Sequence, residues 1–350
     1  MTDEYYRRYD YRRGPAGLFA SFYSGLRGMS VRIVDFQNKL GGKMHVYPEK
    51  VIWDIGALAP KPCYEVIQDL VQQGLHFGPE VCLEEKVIDI KKVEEQHFII
   101  YTEKGHEYHS KSVIIAVGSG IIKPLTLDIE GAERFELSNL NYVVQSIQKF
   151  KDKHILISGA GNSALDWACD LSEYAKSVTL CYRKEEISGH EHMKQLLDKL
   201  DISKKPSMVI KQLNSDPDKP VITEVVLEHV DTKEQEIIPV DEVIISHGFD
   251  RESELLHNAQ TKVNLVNEFF IEGLGNAQTS VPGIFGAGDI IKHDAKVHLI
   301  ASCFNDAANA ANLAKSYIDP EAQAGGRVSS HNDVFKEKNK EVIKKYIAQS

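Results

Sequence analysis

Gly159 and Gly161, followed by Ser163 and Ala164, are the residues whose types and spacing specify chemistry most directly. They end an apolar run, His154–Gly159, and open a helical pattern, the context of a dinucleotide-binding turn. The first glycine makes the tight turn and the second lets a pyrophosphate approach the backbone amides. Ala164 stands where a small residue lets helix and strand pack closely. Phosphate charge then sits at the positive end of the helix. About twenty residues later come Tyr182, Arg183 and Lys184. An acid there would bond both ribose hydroxyls, whereas Arg183 and Lys184 suit a ribose 2′-phosphate, as in NADP. Asp35 ends another apolar run about twenty residues after the turn at Gly14–Gly17, the acidic position for an adenosine ribose. The bland reading of Asp35 is a solvated strand-end carboxylate.

These residues need a particular scaffold. Val31–Asp35, Val113–Gly118, His154–Gly159, Ser177–Cys181 and Glu242–Ser246 read as buried strands. Pro15–Met29 and Ser163–Ala175 read as helices between them, and such alternation predicts parallel sheets with βαβ crossovers. Phe98–Tyr101 and Val221–Val230 read as antiparallel excursions. The two phosphate-binding turns lie about 145 residues apart, roughly one domain, so two nucleotide folds are expected in one chain. The chain is expected to cross between them near Ile122–Pro124 and Gly248. In the tail, Val342, Ile343, Tyr346 and Ile347 recur at helical spacing and predict a small amphipathic helix.

Composition bounds the function classes. The 350 residues suffice for two domains, and 42% hydrophobic with 26% charged residues is a globular profile. A net charge of −10 argues against generic nucleic-acid binding, which needs clustered cations. No apolar run approaches membrane-spanning length, and the first residues lack an apolar signal region, so a cytoplasmic address is expected. Cys63, Cys82, Cys169, Cys181 and Cys303 contain no C-x-x-C pair and read as reduced core thiols, with no metal site.

Taken in order, Gly14-Pro-Ala-Gly17, Leu40-Gly-Gly, Tyr47-Pro-Glu-Lys50, Ala116-Val-Gly118, Gly161-Asn-Ser-Ala-Leu-Asp166 and Gly286-Ala-Gly-Asp289 resemble thioredoxin-reductase-like flavoproteins. Within that group the chain resembles the ferredoxin (flavodoxin)–NADP reductases, from Gly14 to about Phe335. Tyr47–Lys50 and Lys296–Ser302 are the most diagnostic pieces. Thioredoxin reductase proper has a redox C-x-x-C where residues 136–153 here hold no cysteine, so electrons are expected to leave directly from the flavin.

The resemblance implies an α/β fold of two Rossmann-like, three-layer ββα domains. Residues 1–121 and 250–335 would bind FAD, residues 122–249 would bind NADPH, and residues 336–350 would form a helical extension. It implies Asp35 on the adenosine ribose of FAD and Asp289 on the ribityl chain. Lys43 would lie near the flavin, with Val87 and Ile122 also lining the FAD site. Tyr47 would stack on one flavin face, and His331 or its neighbour Ser330 would cover the other. No side chain is needed as acid or base, since the protein contributes positioning, stacking and field. The implied partners are ferredoxin or flavodoxin and a second copy in a homodimer. Rival readings are a reductase of a small disulfide or quinone, and a non-catalytic nucleotide-binding protein with a decayed FAD site.

The sequence departs from this pattern in three places. Ser188 stands where the family has a further arginine, which leaves Arg183 and Lys184 to discriminate NADPH from NADH. The tail runs past the usual end by about a helix. At the first strand the chain reads Tyr6-Arg-Arg-Tyr-Asp-Tyr-Arg12-Arg13, with Arg12 at the fingerprint's first glycine. Codons for Ile-Ile-Gly-Gly read out of register can give Tyr-Arg-Arg-Gly. The expectation is a missing or irregular first strand and weak retention of FAD.

Overall fold

The computed structural model describes residues 8–11, 14–118, 121–216, 219–252, 254–326 and 332–349. Two five-stranded parallel sheets organise it. The first runs in the order Ile284–Gly286, Val113–Ile115, Arg8–Tyr11 (β1), Val31–Val34 (β2) and Glu80–Cys82. The second runs Leu140–Asn141, Glu242–Ile245, His154–Ser158, Ser177–Tyr182 and Ile202–Pro206. Apart from β1, their inner strands are rich in Val, Ile and Leu because both faces are covered. Three-stranded antiparallel sheets supply the outer layers, Val87–Glu94 with His97–Thr102 and Glu107–Ser110, and Met208–Ser215 with Ile222–His229 and Gln235–Pro239. The expected parallel strands and antiparallel excursions are therefore present, shifted by one to three residues at their ends.

The first strand is a correction. The charged sequence Arg8-Tyr-Asp-Tyr11 is incompatible by composition with a central strand, yet β1 occupies the middle of the first sheet. Tyr9–Tyr11 pair with Val113–Ile115 on one side, and Arg8–Tyr11 pair with Val31–Val34 on the other. Two hydrogen-bonded neighbours impose extended backbone where local propensity does not, a tertiary override of β-propensity. Arg12 and Arg13 lie outside the described residues.

Helix α1 (Pro15–Leu26) starts immediately after, with Pro15 at a position where its missing N–H costs nothing. It is covered by α2 (Cys63–Gly74) and by the helix Ile300–Ile318. Ala16 and Ala20 meet Ala307, Ala310 and Ala314 in one buried cluster. Small side chains there let the helix backbones approach. The chain passes between the two sheets through an antiparallel ribbon, Ile121–Pro124 against Phe249–Glu252, at the expected crossing. The tail is the helix Lys336–Gln349. Phe335, just before it, faces Phe22 and Phe77 at centroid distances of 6.4 and 5.9 Å, while Val342 and Ile343 are about half exposed. All five cysteines are free, and all but Cys82 are buried. Among the described residues, no helix is long and apolar enough to cross a membrane and no cluster could hold a metal ion.

Candidate functional site

Two cavities open at the carboxyl ends of the two parallel sheets, where strand-to-helix turns in such folds bind nucleotides. The first, of about 250 Å³, is lined by Gly14, Asp35, Lys43, Tyr47, Gly118, Asp289 and His298 among others. The second, of about 930 Å³, is lined by Gly159, Gly161, Ser163, Arg183 and Lys184, with Lys50, Asp166, Trp167, Ser188 and His247. Tyr47 lines both.

In the first cavity Asp35 follows β2 and is 1% exposed, with Oδ1 accepting the Gln37 N–H at 3.0 Å. That is no solvated strand-end carboxylate. A buried acid beside an open cavity is the acceptor expected for ribose hydroxyls. Asp289 follows Gly288, whose φ of +78° is left-handed. A Cβ at Gly288 would lie 2.8 Å from Ala16 Cβ, so only glycine lets this turn close on α1. His298 Nδ1 lies 3.9 Å from Asp289 Oδ1. Burial pushes the Tyr47 phenol well above its ordinary value, with Cys63, Asp289 and Cys303 adding to it, so it stays neutral throughout the physiological range. Lys43 is exposed at the cavity rim.

In the second cavity Gly159 has φ +152°, and a Cβ there would sit 2.4 Å from the Ser246 carbonyl oxygen. Nothing lies within 4 Å of a Cβ placed at Gly161, which leaves its backbone approachable, and α3 (Asn162–Ser172) starts on the next residue. Arg183 and Lys184 are exposed beyond the strand Ser177–Tyr182. Ser188 donates both its N–H and its hydroxyl to the Ala160 carbonyl, at 3.1 and 3.0 Å, so the residue at the missing arginine's position braces the glycine turn instead. His247 Nε2 lies 2.8 Å from Ser158 Oγ. Burial, then the nearby Arg183, lower its pKa and hold the ring neutral.

Gly14, Asp35, Lys43, Tyr47 and Asp289 are thus brought to one cavity, and Gly159, Gly161, Ser163, Arg183 and Lys184 to the other. Gly17 is buried inside α1, away from the lining. Val87 is in the core cluster at the start of its strand rather than on the cavity wall. Ile122 belongs to the connecting ribbon. Ser330 and His331 lie outside the described residues. Sequence reasoning missed His298, Lys50, Asp166, Trp167 and His247 as lining residues. His298, Lys50 and Asp166 lie inside motifs already singled out and Trp167 directly follows one, whereas His247 carried no signal beyond its place one residue before Gly248.

A family profile described as pyridine nucleotide-disulphide oxidoreductase matches residues 13–312. The chain is 65% identical over 334 residues to a ferredoxin–NADP reductase of Staphylococcus saprophyticus, covering 95% of this chain and 97% of that one. It is 52% identical over 332 residues to ferredoxin–NADP reductase 1 of Bacillus licheniformis, covering 95% of each. Among solved structures, the thioredoxin reductase of T. acidophilum superposes with a TM-score of 0.70 at 25% identity, covering 90% of this chain and 98% of that one. The thioredoxin reductase of Lactococcus lactis does so with the same score and identity, covering 89% and 99%.

Proposed function

The chain belongs to the pyridine nucleotide-disulphide oxidoreductase family, and we propose that it is an FAD-dependent ferredoxin–NADP reductase that takes reducing equivalents from NADPH. The observation that carries this reading is the position of Tyr47, on the wall of both cavities. A flavin in the first cavity and a nicotinamide in the second would approach one another at this side chain.

The residues present fit both groups. Asp35 and Asp289 offer acceptors to the ribose and ribityl hydroxyls of FAD, and Tyr47 offers a neutral aromatic face for ring stacking. Gly159, Gly161 and the start of α3 offer backbone amides to a pyrophosphate, with Arg183 and Lys184 beyond them for the 2′-phosphate. FAD, when bound, supplies the exchange between a two-electron donor and one-electron acceptors. The protein orients the two rings, and Tyr47 and His247 on the cavity walls are both neutral.

In this reading residues 1–121 with 250–335 would carry the FAD site and residues 122–249 the NADPH site, a division supported by the two separate parallel sheets and the ribbon at 121–124 and 249–252. Residues 136–153 contain no cysteine, so no dithiol relay stands between flavin and acceptor. The acceptor is a ferredoxin or flavodoxin, as the names of the relatives support, and the enzyme works as a cytoplasmic homodimer. The test is parallel NADPH turnover with ferredoxin, flavodoxin, a small disulfide and a quinone, after a visible spectrum of the purified protein. Flavin absorbance with fastest turnover on ferredoxin or flavodoxin supports the reading. No flavin, or faster turnover on the disulfide or quinone, overturns it.

A further inference from the structure

The first cavity has two walls that come from different parts of the chain, and one carboxylate oxygen holds both. The loop Gly288–Asp289 forms one wall, and His298, Leu299 and Ile300 belong to the other. Asp306, on the helix Ile300–Ile318, lies behind them and is only 7% exposed. Its Oδ2 accepts the Gly288 N–H at 3.1 Å and also the Lys296 ammonium. The Lys296 side chain is 3% exposed, so this pair is sealed from water.

Such a pair is expensive to assemble. Both charges are desolvated, and apolar replacement of a buried pair is often neutral or stabilising. A buried pair is therefore weak evidence of a stabilising role, and the geometry offers a different one. Gly288 cannot carry a side chain and is held in left-handed backbone against Ala16. A glycine turn without side-chain packing needs an external anchor, and Asp306 provides it. Lys296, two residues before His298, ties the segment that forms the second wall to the same oxygen. Cys303, which lines the cavity one turn before Asp306, is pushed up to about 12, chiefly by burial, with Asp289 and Asp306 adding to the rise and Lys296 opposing it.

We propose that Asp306 and Lys296 are positioning residues for the flavin cavity, clamping the Asp289 loop and the His298 segment at a fixed separation. This rests on the reading that FAD occupies that cavity. The clamp acts through the wall residues and does not touch the cofactor, so its loss lowers FAD affinity and admits water to the ring without abolishing the fold.

The experiment is FAD titration of apoprotein, followed by flavin fluorescence, together with thermal unfolding of the same apoprotein. The double variant Lys296→Met with Asp306→Asn removes both charges at nearly constant volume and keeps an acceptor for Gly288. Its apoprotein should melt close to the parent, yet its FAD Kd should rise about tenfold, the loss of one charge-assisted tie. Its bound flavin should fluoresce more brightly. The variant Lys296→Met with Asp306→Leu, which also removes the Gly288 acceptor, should lose at least as much. Asp289→Ala serves as the control for the site itself. FAD binding within about twofold of the parent in both double variants, with Asp289→Ala impaired, overturns the clamp while leaving the cavity assignment standing. Unimpaired binding by Asp289→Ala overturns both.

Discussion

The Lys50 ammonium lies 4.5 Å from the centroid of the Trp167 ring and pairs with Asp170, tying the loop that carries Tyr47 to the helix that follows the glycine turn at Gly161. Two sequence motifs 120 residues apart therefore meet side chain to side chain. Asp166, one turn earlier on α3, is held above its ordinary pKa by burial, with Lys50 opposing that shift. The contact joins the two nucleotide folds directly beside the larger cavity.

Its energetic weight is modest, because Lys50 and Asp170 are 28% and 38% exposed. Partly exposed ion pairs contribute about 0.2–1 kcal/mol, and an exposed cation–π contact about 0.5–1 kcal/mol. A double-mutant cycle on Lys50→Ala and Asp170→Ala should give a coupling in that range, weakened by salt. Zero coupling in low salt would show that the pair does not persist in solution.

Arg183 is exposed at the far end of the larger cavity, and Ser188 is engaged with the Ala160 carbonyl instead of supplying a third cation. A charge-assisted bond contributes about 1.5–3 kcal/mol, so Arg183→Ala should raise the NADPH KM about tenfold or more. The NADH KM should hardly move. Equal losses with both coenzymes would show that Arg183 does not read the 2′-phosphate.

Tyr47 borders both cavities, so its removal should register in the flavin itself. Aromatic stacking contributes about 0.5–1.5 kcal/mol beyond area burial, and Tyr47→Ser should weaken FAD binding several-fold and shift the visible bands. An unchanged spectrum and affinity would take Tyr47 out of the site.

What the sequence made legible was local. Gly159, Gly161 and Asp35 announce themselves because a tight turn and a strand end leave fixed spacings, and Pro124 and Gly248 marked where the chain crosses between folds. Asp306, Lys50 and His298 could not be assigned roles that way. Their partners lie across a layer or in another fold, and a single buried polar residue on a helix leaves no period to detect. Val87, named from the family pattern, sits in a core cluster at the start of its strand.

The buried thiols set an alkaline limit. Burial pushes Cys63 and Cys303 up to about 12 and Cys181 up to about 11, from an ordinary 9.0. Above pH 9 the unfolded chain releases these protons while the native state keeps them. The stability they contribute is fully present below pH 9 and is lost as pH rises toward the folded values. Each thiol steepens the fall by up to about 1.4 kcal/mol per pH unit. Urea unfolding across that interval should show the decline, and Cys63→Ala with Cys303→Ala should flatten it. An unaltered slope in the double variant would assign the alkaline loss to other groups.

The first strand supports the sharpest test of cofactor retention. Tyr9–Tyr11 are paired on both sides, and Arg8 on one, in the centre of a parallel sheet, a position normally filled by an apolar run. Arg12 then stands where the dinucleotide fingerprint has its first glycine, and a residue with a Cβ resists the tight turn required there. The strand pairing is kept despite this composition, so the prediction turns on the identity of residue 12. The chain as it stands should therefore purify with less than one FAD per protein. Replacing residues 7–13 with an apolar strand ending in Gly-Gly should raise FAD occupancy, the melting temperature and NADPH turnover together. Absorbance at the flavin band against protein concentration measures the first directly. Stoichiometric FAD and undiminished turnover in the unaltered chain would show that the fold accommodates Arg12 at no cost to the cofactor.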